Sequence, residues 1–235
     1  MAVVLKAENL ETFIGQYHIL QGVTFEAKRG EITVLLGRNG AGKTTTLRTI
    51  LGLNPPSKGK VYFKQTEIQG LPTYKTANLG IGYVPEDQGI FPYLTVEEHF
   101  KIATKGKGEE IAERIESTLA LFPDLKTFWK KEAGFLSGGQ KQMLAIARAY
   151  INNNELLLID EPSKGLAPIV VEKVMETLKM MKGKTTIILV EQNYLMAEFL
   201  GDRFYIIDDG KTVLSGEMKE LKENEEWRKK YLGIS

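Results

Sequence analysis

Gly37-Arg38-Asn39-Gly40-Ala41-Gly42-Lys43-Thr44-Thr45 is a run of residue types suited to anion chemistry. It has the spacing of a phosphate-binding loop: a glycine, four residues, then Gly-Lys-Thr. A glycine-rich turn by itself is punctuation, but here the strand-like run Glu31 to Leu36 precedes it and the helical stretch Thr44 to Leu51 follows, as the motif requires. Glycines let the backbone close until successive N–H groups converge on one anion, and a helix starting near Gly42 adds its positive N-terminal dipole. On this reading Lys43 reaches the β- and γ-phosphates of a nucleoside triphosphate. The Thr44 hydroxyl ligates a Mg²⁺ that bridges them, and Gly37, Arg38, Asn39, Gly40, Ala41, Gly42 and Thr45 complete the cradle.

A second constellation lies far along the chain. Leu156-Leu157-Leu158-Ile159-Asp160-Glu161 is an apolar strand ending in two carboxylates. Ligands of parallel sheets sit beyond the carboxyl ends of the strands, so this ending brings Asp160 beside the phosphate loop. Asp160 then suits Mg²⁺ binding through water, and Glu161 suits orienting or deprotonating the water that attacks the γ-phosphate. Such an ending is commonplace where a strand meets solvent, and it is the phosphate loop in the same chain that gives the pair a substrate.

The elements that must hold these residues follow from changes of periodicity. Val3 to Leu10, Gly22 to Ala27 and Val61 to Lys64 read as strands of an antiparallel edge sheet, separated by Lys28-Arg29-Gly30 and Pro55-Pro56-Ser57-Lys58-Gly59. From about Thr95 to Asn152 the strand signals give way to helical ones. Thr95 with Glu98 has the form of a capping box, and Ile111, Ile115, Leu119 and Phe122 recur at helical spacing. Strand-like runs return at Leu156 to Ile159, Thr185 to Val190 and Phe204 to Ile207, with a helical stretch from Pro168 to Met181 between the first two. Asp209-Gly210 has the form of a hairpin turn. The expected organisation is an α/β core over 1–88 and 154–235 with a helical subdomain over 89–153.

Composition narrows the function classes. The chain has 235 residues, 43% hydrophobic and 26% charged, with a net charge of +1. That balance gives no bulk field for nucleic acid or anionic lipid. There is no cysteine, which removes thiol nucleophiles and cysteine-ligated zinc. The apolar runs are far shorter than the roughly 18 residues of a membrane span, and the N-terminal stretch is too short for a signal peptide. The expectation is a cytoplasmic protein. His18 and His99 occur singly without ligand spacing and read as surface or boundary residues. Lys101 to Glu116 alternates charge along a predicted helix and reads as a solvated face. Near the C-terminus, Trp227, Tyr231 and Leu232 read as packed onto the body by a short amphipathic helix.

Leu136-Ser137-Gly138-Gly139-Gln140 stands just before the helical run Gln142 to Tyr150. It resembles the signature motif of ABC ATPases, whose fold is a phosphate-loop core with an antiparallel edge sheet and an inserted helical subdomain. In that family Ser137 would cap a helix whose first amides, with Gly138, Gly139 and Gln140, face ATP held by the phosphate loop of a second cassette. Dimerisation is then part of the mechanism. The resemblance also implies that Tyr17 stacks on adenine, where a flat π-face needs no base-specific hydrogen bond.

Three positions depart from the family pattern. Glu86, in Tyr83-Val84-Pro85-Glu86, stands where a glutamine contacts the metal region. Gln192, in Val190-Glu191-Gln192-Asn193, stands where a histidine holds the γ-phosphate, and an amide supplies no positive charge there. Ala167, in Ser163-Lys164-Gly165-Leu166-Ala167-Pro168, stands where aspartate is common. Together with Ile90-Phe91-Pro92 and Leu94-Thr95-Val96-Glu97-Glu98, these segments resemble the branch that serves branched-chain amino-acid importers. Its implied partners are a second ATP-binding subunit, transmembrane permease subunits on the inner face of the membrane and, indirectly, a solute-binding protein. Subunits of urea or amide transporters and a weakly hydrolysing regulatory module remain alternatives. A DNA-repair or chromosome-type ABC ATPase would carry a long coiled coil between phosphate loop and signature, which this chain lacks.

Overall fold

The computed structural model describes residues 2–106 and 108–234, so positions 1 and 235 of the expected core and Lys107 of the charge-alternating stretch lie outside the described residues. In chain order the elements are β1 (Val3–Ile14), β2 (Tyr17–Lys28), β3 (Ile32–Leu36), α1 (Lys43–Ile50), β4 (Lys58–Phe63), β5 (Thr66–Glu67), α2 (Thr73–Asn78) and β6 (Ile81–Val84). There follow α3 (Val96–Ala103), α4 (Glu109–Leu121), α5 (Pro123–Thr127), α6 (Gly138–Tyr150), β7 (Leu156–Asp160), α7 (Pro168–Met181), β8 (Thr186–Val190), α8 (Tyr194–Leu200), β9 (Arg203–Asp208), β10 (Lys211–Glu217), α9 (Met218–Glu223) and α10 (Glu225–Trp227).

The strands form a mixed sheet in the order β5-β4-β1-β2-β10-β9-β3-β8-β7-β6. β9, β3, β8, β7 and β6 run parallel, and every residue of β3, β7 and β8 is buried. That explains their unbroken apolar sequences, since a parallel sheet is covered on both faces. Side chains alternate between the two layers. Leu157 and Ile159 of β7 pack into one core with α3, α6, α7 and α8, while Leu156 and Leu158 pack into the other with α1, β1 and β2. β1, β2, β4 and β5 pair antiparallel, as expected of the edge. This edge joins the parallel part through a narrow seam. One ladder pair, Lys211 with Gly22, is reinforced by Thr212, whose hydroxyl accepts from the Thr24 N–H at 3.0 Å and donates to the Thr24 carbonyl at 2.9 Å.

The segment between β6 and β7 is helical, and Thr95 and Glu98 form the expected reciprocal cap on α3. The helical run read over Gln142 to Tyr150 extends back to Gly138, directly behind the Ser137 cap that the signature resemblance implies. Two expectations are corrected. The charge-alternating stretch is two helices, because α3 ends at Ala103 and α4 begins at Glu109. His99 is fully buried, and it is held there because both ring nitrogens are used. Nδ1 lies 2.8 Å from the Thr95 carbonyl and Nε2 accepts the Phe91 N–H at 3.0 Å, while burial keeps its pKa low. His18 is a surface residue, stacked on Phe13 with ring centroids 4.2 Å apart. Trp227, Tyr231 and Leu232 pack on the core as expected. Among the described residues no helix is long and apolar enough to cross a membrane.

Candidate nucleotide site

The phosphate loop connects the end of β3 to α1. Gly37 adopts φ 152°, and a side chain there would run into the Ile207 carbonyl of β9, so the loop's first turn demands glycine. Lys43, the first residue of α1, is buried. Its ammonium donates to the carbonyls of Gly37 and Arg38 at 3.0 and 3.2 Å and lies 3.4 Å from Glu161 Oε1. A buried ammonium needs such partners.

Asp160 ends β7 fully buried. The Thr44 hydroxyl donates to its Oδ1 at 3.0 Å, and the Tyr83 hydroxyl donates to its Oδ2 at 3.4 Å. Burial first, then the charges of Glu161 and Glu86, push its pKa up to about 6, against the lowering effect of the Thr44 bond. Burial and the Asp160 charge push Tyr83 up to about 12. Glu161 follows at φ 44°, a left-handed turn that a residue with a side chain adopts at a cost. Its N–H is anchored to the Val190 carbonyl at 2.9 Å, and the turn carries its carboxylate back to Lys43. Asn39, Gly40, Lys43, Thr44, Glu86, Glu161 and Lys164 line a cavity of about 370 Å³. Two residues 116 positions apart, Thr44 and Asp160, thus meet as the strand ending implied.

The other candidates are placed less uniformly. Tyr17 opens β2 and is 66% exposed. It pairs with Ile14 of β1, beyond an irregularity in the β1–β2 register, and does not line the phosphate-loop cavity. Glu86 lines the cavity, but its contact is Lys164 at 2.6 Å rather than Thr44 or Asp160. The Gln192 side chain is exposed and does not line the cavity. Ser137 caps α6 reciprocally with Gln140, whose Oε1 accepts the Ser137 N–H at 2.9 Å, so the Gln140 side chain serves the cap. Gly139 lies so close to α7 that a methyl group there would overlap Val170. Neither serine nor glycines of this segment line the phosphate-loop cavity, and Ser137 and Gly138 face solvent.

Two contributors escape a reading by motif. Glu191, buried at the end of β8, accepts the N–H groups of Ser163, Gln192 and Asn193 at 3.0, 2.9 and 2.9 Å and welds β8 to the loop after Glu161. A carboxylate directly after the apolar run Ile187 to Val190 is the signal that could have found it. Lys164, three residues after Glu161, is the other.

Residues 20–164 match the family model described as ABC transporter. This chain belongs to the ABC transporter family. An Archaeoglobus fulgidus protein named "Probable branched-chain amino acid transport ATP-binding protein" is 38% identical to this ABC cassette over 98% of the cassette and 99% of its own length. A Pseudomonas aeruginosa protein named as a high-affinity branched-chain amino acid transport ATP-binding protein is also 38% identical, over 98% and 100%. Among solved structures, a dimeric ATP-binding cassette in a post-hydrolysis state with ADP and Pi is 29% identical. It matches with a TM-score of 0.79 over 91% of this chain and 98% of that one. The protein is an ABC ATPase, the ATP-binding subunit of an ABC transporter, with the cassette fold expected from its sequence.

Proposed function

We propose that this ABC ATPase drives an importer of branched-chain amino acids, two cassettes closing on two ATP molecules at the cytoplasmic face and pulling on permease subunits supplied by a solute-binding protein. The contact between Thr44 and Asp160 beside the Lys43–Glu161 pair carries the catalytic part of this reading. The kinship with the two amino acid transport proteins supports the cargo. All named strands fall outside 89–153, which supports a core over 1–88 and 154–235 and a helical subdomain between them.

Thr44 and Asp160 offer a hydroxyl and a carboxylate, the oxygen donors that Mg²⁺ takes when phosphates and water supply its other ligands. Among the described residues no group of three or more His, Asp or Glu side chains could cage a metal unaided, in keeping with a cation that arrives with nucleotide. Mg²⁺ supplies charge neutralisation on the phosphate oxygens. The chain's residues do the rest: the loop amides of Gly37 to Thr45 cradle phosphate, Lys43 turns its ammonium from Glu161 toward the γ-phosphate, and Glu161 orients the attacking water and takes its proton. Tyr17 stacks on adenine. Ser137, Gly138 and Gly139 close over the nucleotide of the partner cassette. Glu86, in the cavity lining, stands toward the metal, and Gln192 serves the γ-phosphate as a hydrogen-bond donor that brings no charge.

Glu161→Gln tests the reading. It should bind ATP, turn over at least about 100-fold more slowly and accumulate as a closed dimer by light scattering. Steady-state hydrolysis at the wild-type rate overturns the role of Glu161.

A further inference from the structure

Lys164 lies in the loop between β7 and α7, and the phosphate-loop chemistry makes no use of it. Its ammonium is 2.6 Å from Glu86 Oε1 and 3.6 Å from Glu161 Oε2. Glu161 is therefore flanked by two cations, Lys43 on Oε1 at 3.4 Å and Lys164 on Oε2. The two lysines stand in different surroundings. Lys43 is 4% exposed and within the cradle, so triphosphate competes directly for its charge, whereas Lys164 is 54% exposed and rests on carboxylates alone. Both carboxylates hold the Lys164 pKa above the usual lysine value, Glu86 foremost, so it stays an ammonium.

When Lys43 turns to phosphate, Glu161 loses the cation on Oε1. Lys164 then remains as its counter-charge, through the oxygen Lys43 does not face. Because the shorter contact is to Glu86, the same ammonium ties the carboxylate to the segment that leaves β6. Resting on the assignment of Glu161 to the attacking water, we infer that Lys164 is a positioning residue for ATP hydrolysis, holding Glu161 and coupling it to Glu86.

The test is steady-state ATPase of the full chain with Lys164→Met, Lys164→Arg, Glu86→Gln and the Glu86→Gln/Lys164→Met double variant, with Glu161→Gln in parallel. Exposed ion pairs are weak and screened by salt, so kcat of Lys164→Met should fall about three- to fivefold with KM for ATP unchanged. Lys164→Arg should restore most of the loss. The double variant should be no slower than Lys164→Met alone, because both changes break one linkage. Raising ionic strength should bring the wild-type kcat toward that of Lys164→Met and leave the variant nearly flat. Wild-type kcat in Lys164→Met, equal losses in the Met and Arg variants, or additive losses in the double variant overturn the inference. Full activity in Glu161→Gln overturns instead the assignment on which it rests.

Discussion

At the scale of single residues, Asp160 carries its charge where charge is least welcome. It is fully buried, and its two oxygens face the hydroxyls of Thr44 and Tyr83 and no cation among the described residues. Its pKa rises from 3.8 to about 6 in the folded chain. The folded state therefore binds this proton more tightly than the unfolded chain. The contribution to stability is full below about pH 4 and is lost as pH rises through 6. Two units correspond to about 3 kcal/mol at neutral pH, an upper figure because the surroundings relax. Asp160→Asn keeps an oxygen for Thr44 and gives Tyr83 a donor. Without nucleotide it should therefore be more stable than wild type at pH 7.5, by about 1 to 3 kcal/mol, and lose most of that advantage by pH 4.5. It should also lose Mg²⁺-dependent hydrolysis. Calorimetry at the two pH values checks the first part, and equal melting at both would show that burial of the carboxylate is not opposed.

Elements decide what a sequence discloses. The phosphate loop is legible because its chemistry is local: glycine spacing, lysine and threonine all lie within nine residues, between a strand and a helix. Asp160 is legible at one remove, since parallel strands end on one edge. Positions set by packing between distant elements are not legible. His99 reads as a boundary residue until the Phe91 and Thr95 backbones are seen to claim its ring. Glu191 and Lys164 depend on which loops meet beyond β7 and β8. Gly139 is legible as part of the signature, but its packing against Val170 is not. That packing carries a prediction. In Gly139→Ala the added methyl overlaps Val170, so α6 must shift from α7 and move the amides behind Ser137. A cost of about 1 to 3 kcal/mol is expected from overpacking. Because this segment does not line the chain's own phosphate cavity, nucleotide affinity of the monomer should hold while turnover falls at least tenfold. Fluorescent-nucleotide titration beside an ATPase assay separates the two, and a parallel loss of both would place the signature in its own chain's site.

At the scale of the whole molecule, the proposed function requires ATP binding to be felt by a permease partner, and the exposed rings on the connection after β6 are the contact we propose for it. Phe91 and Tyr93 are 54% and 85% exposed on the connection from β6 to α3. This connection leaves the sheet after Val84, carries Glu86 near its start and is gripped from behind. The Phe91 N–H is fixed by His99, and the Arg148 guanidinium lies 6.0 Å from the Phe91 ring centre. Beside it a groove of about 340 Å³ is lined by Phe91, Ile102 and Arg148, among others. Apolar rings held outward on an anchored loop suit docking of an apolar helix or loop from a permease subunit. Motion at Glu86 reaches them through only a few residues of chain. Phe91→Glu with Tyr93→Glu should leave fold and basal ATPase intact, because both side chains are exposed and neither lines the phosphate cavity. The pair should abolish co-purification with the permease subunits and any stimulation of hydrolysis by transported solute. Retained co-purification with normal stimulation would place the coupling surface elsewhere on the cassette.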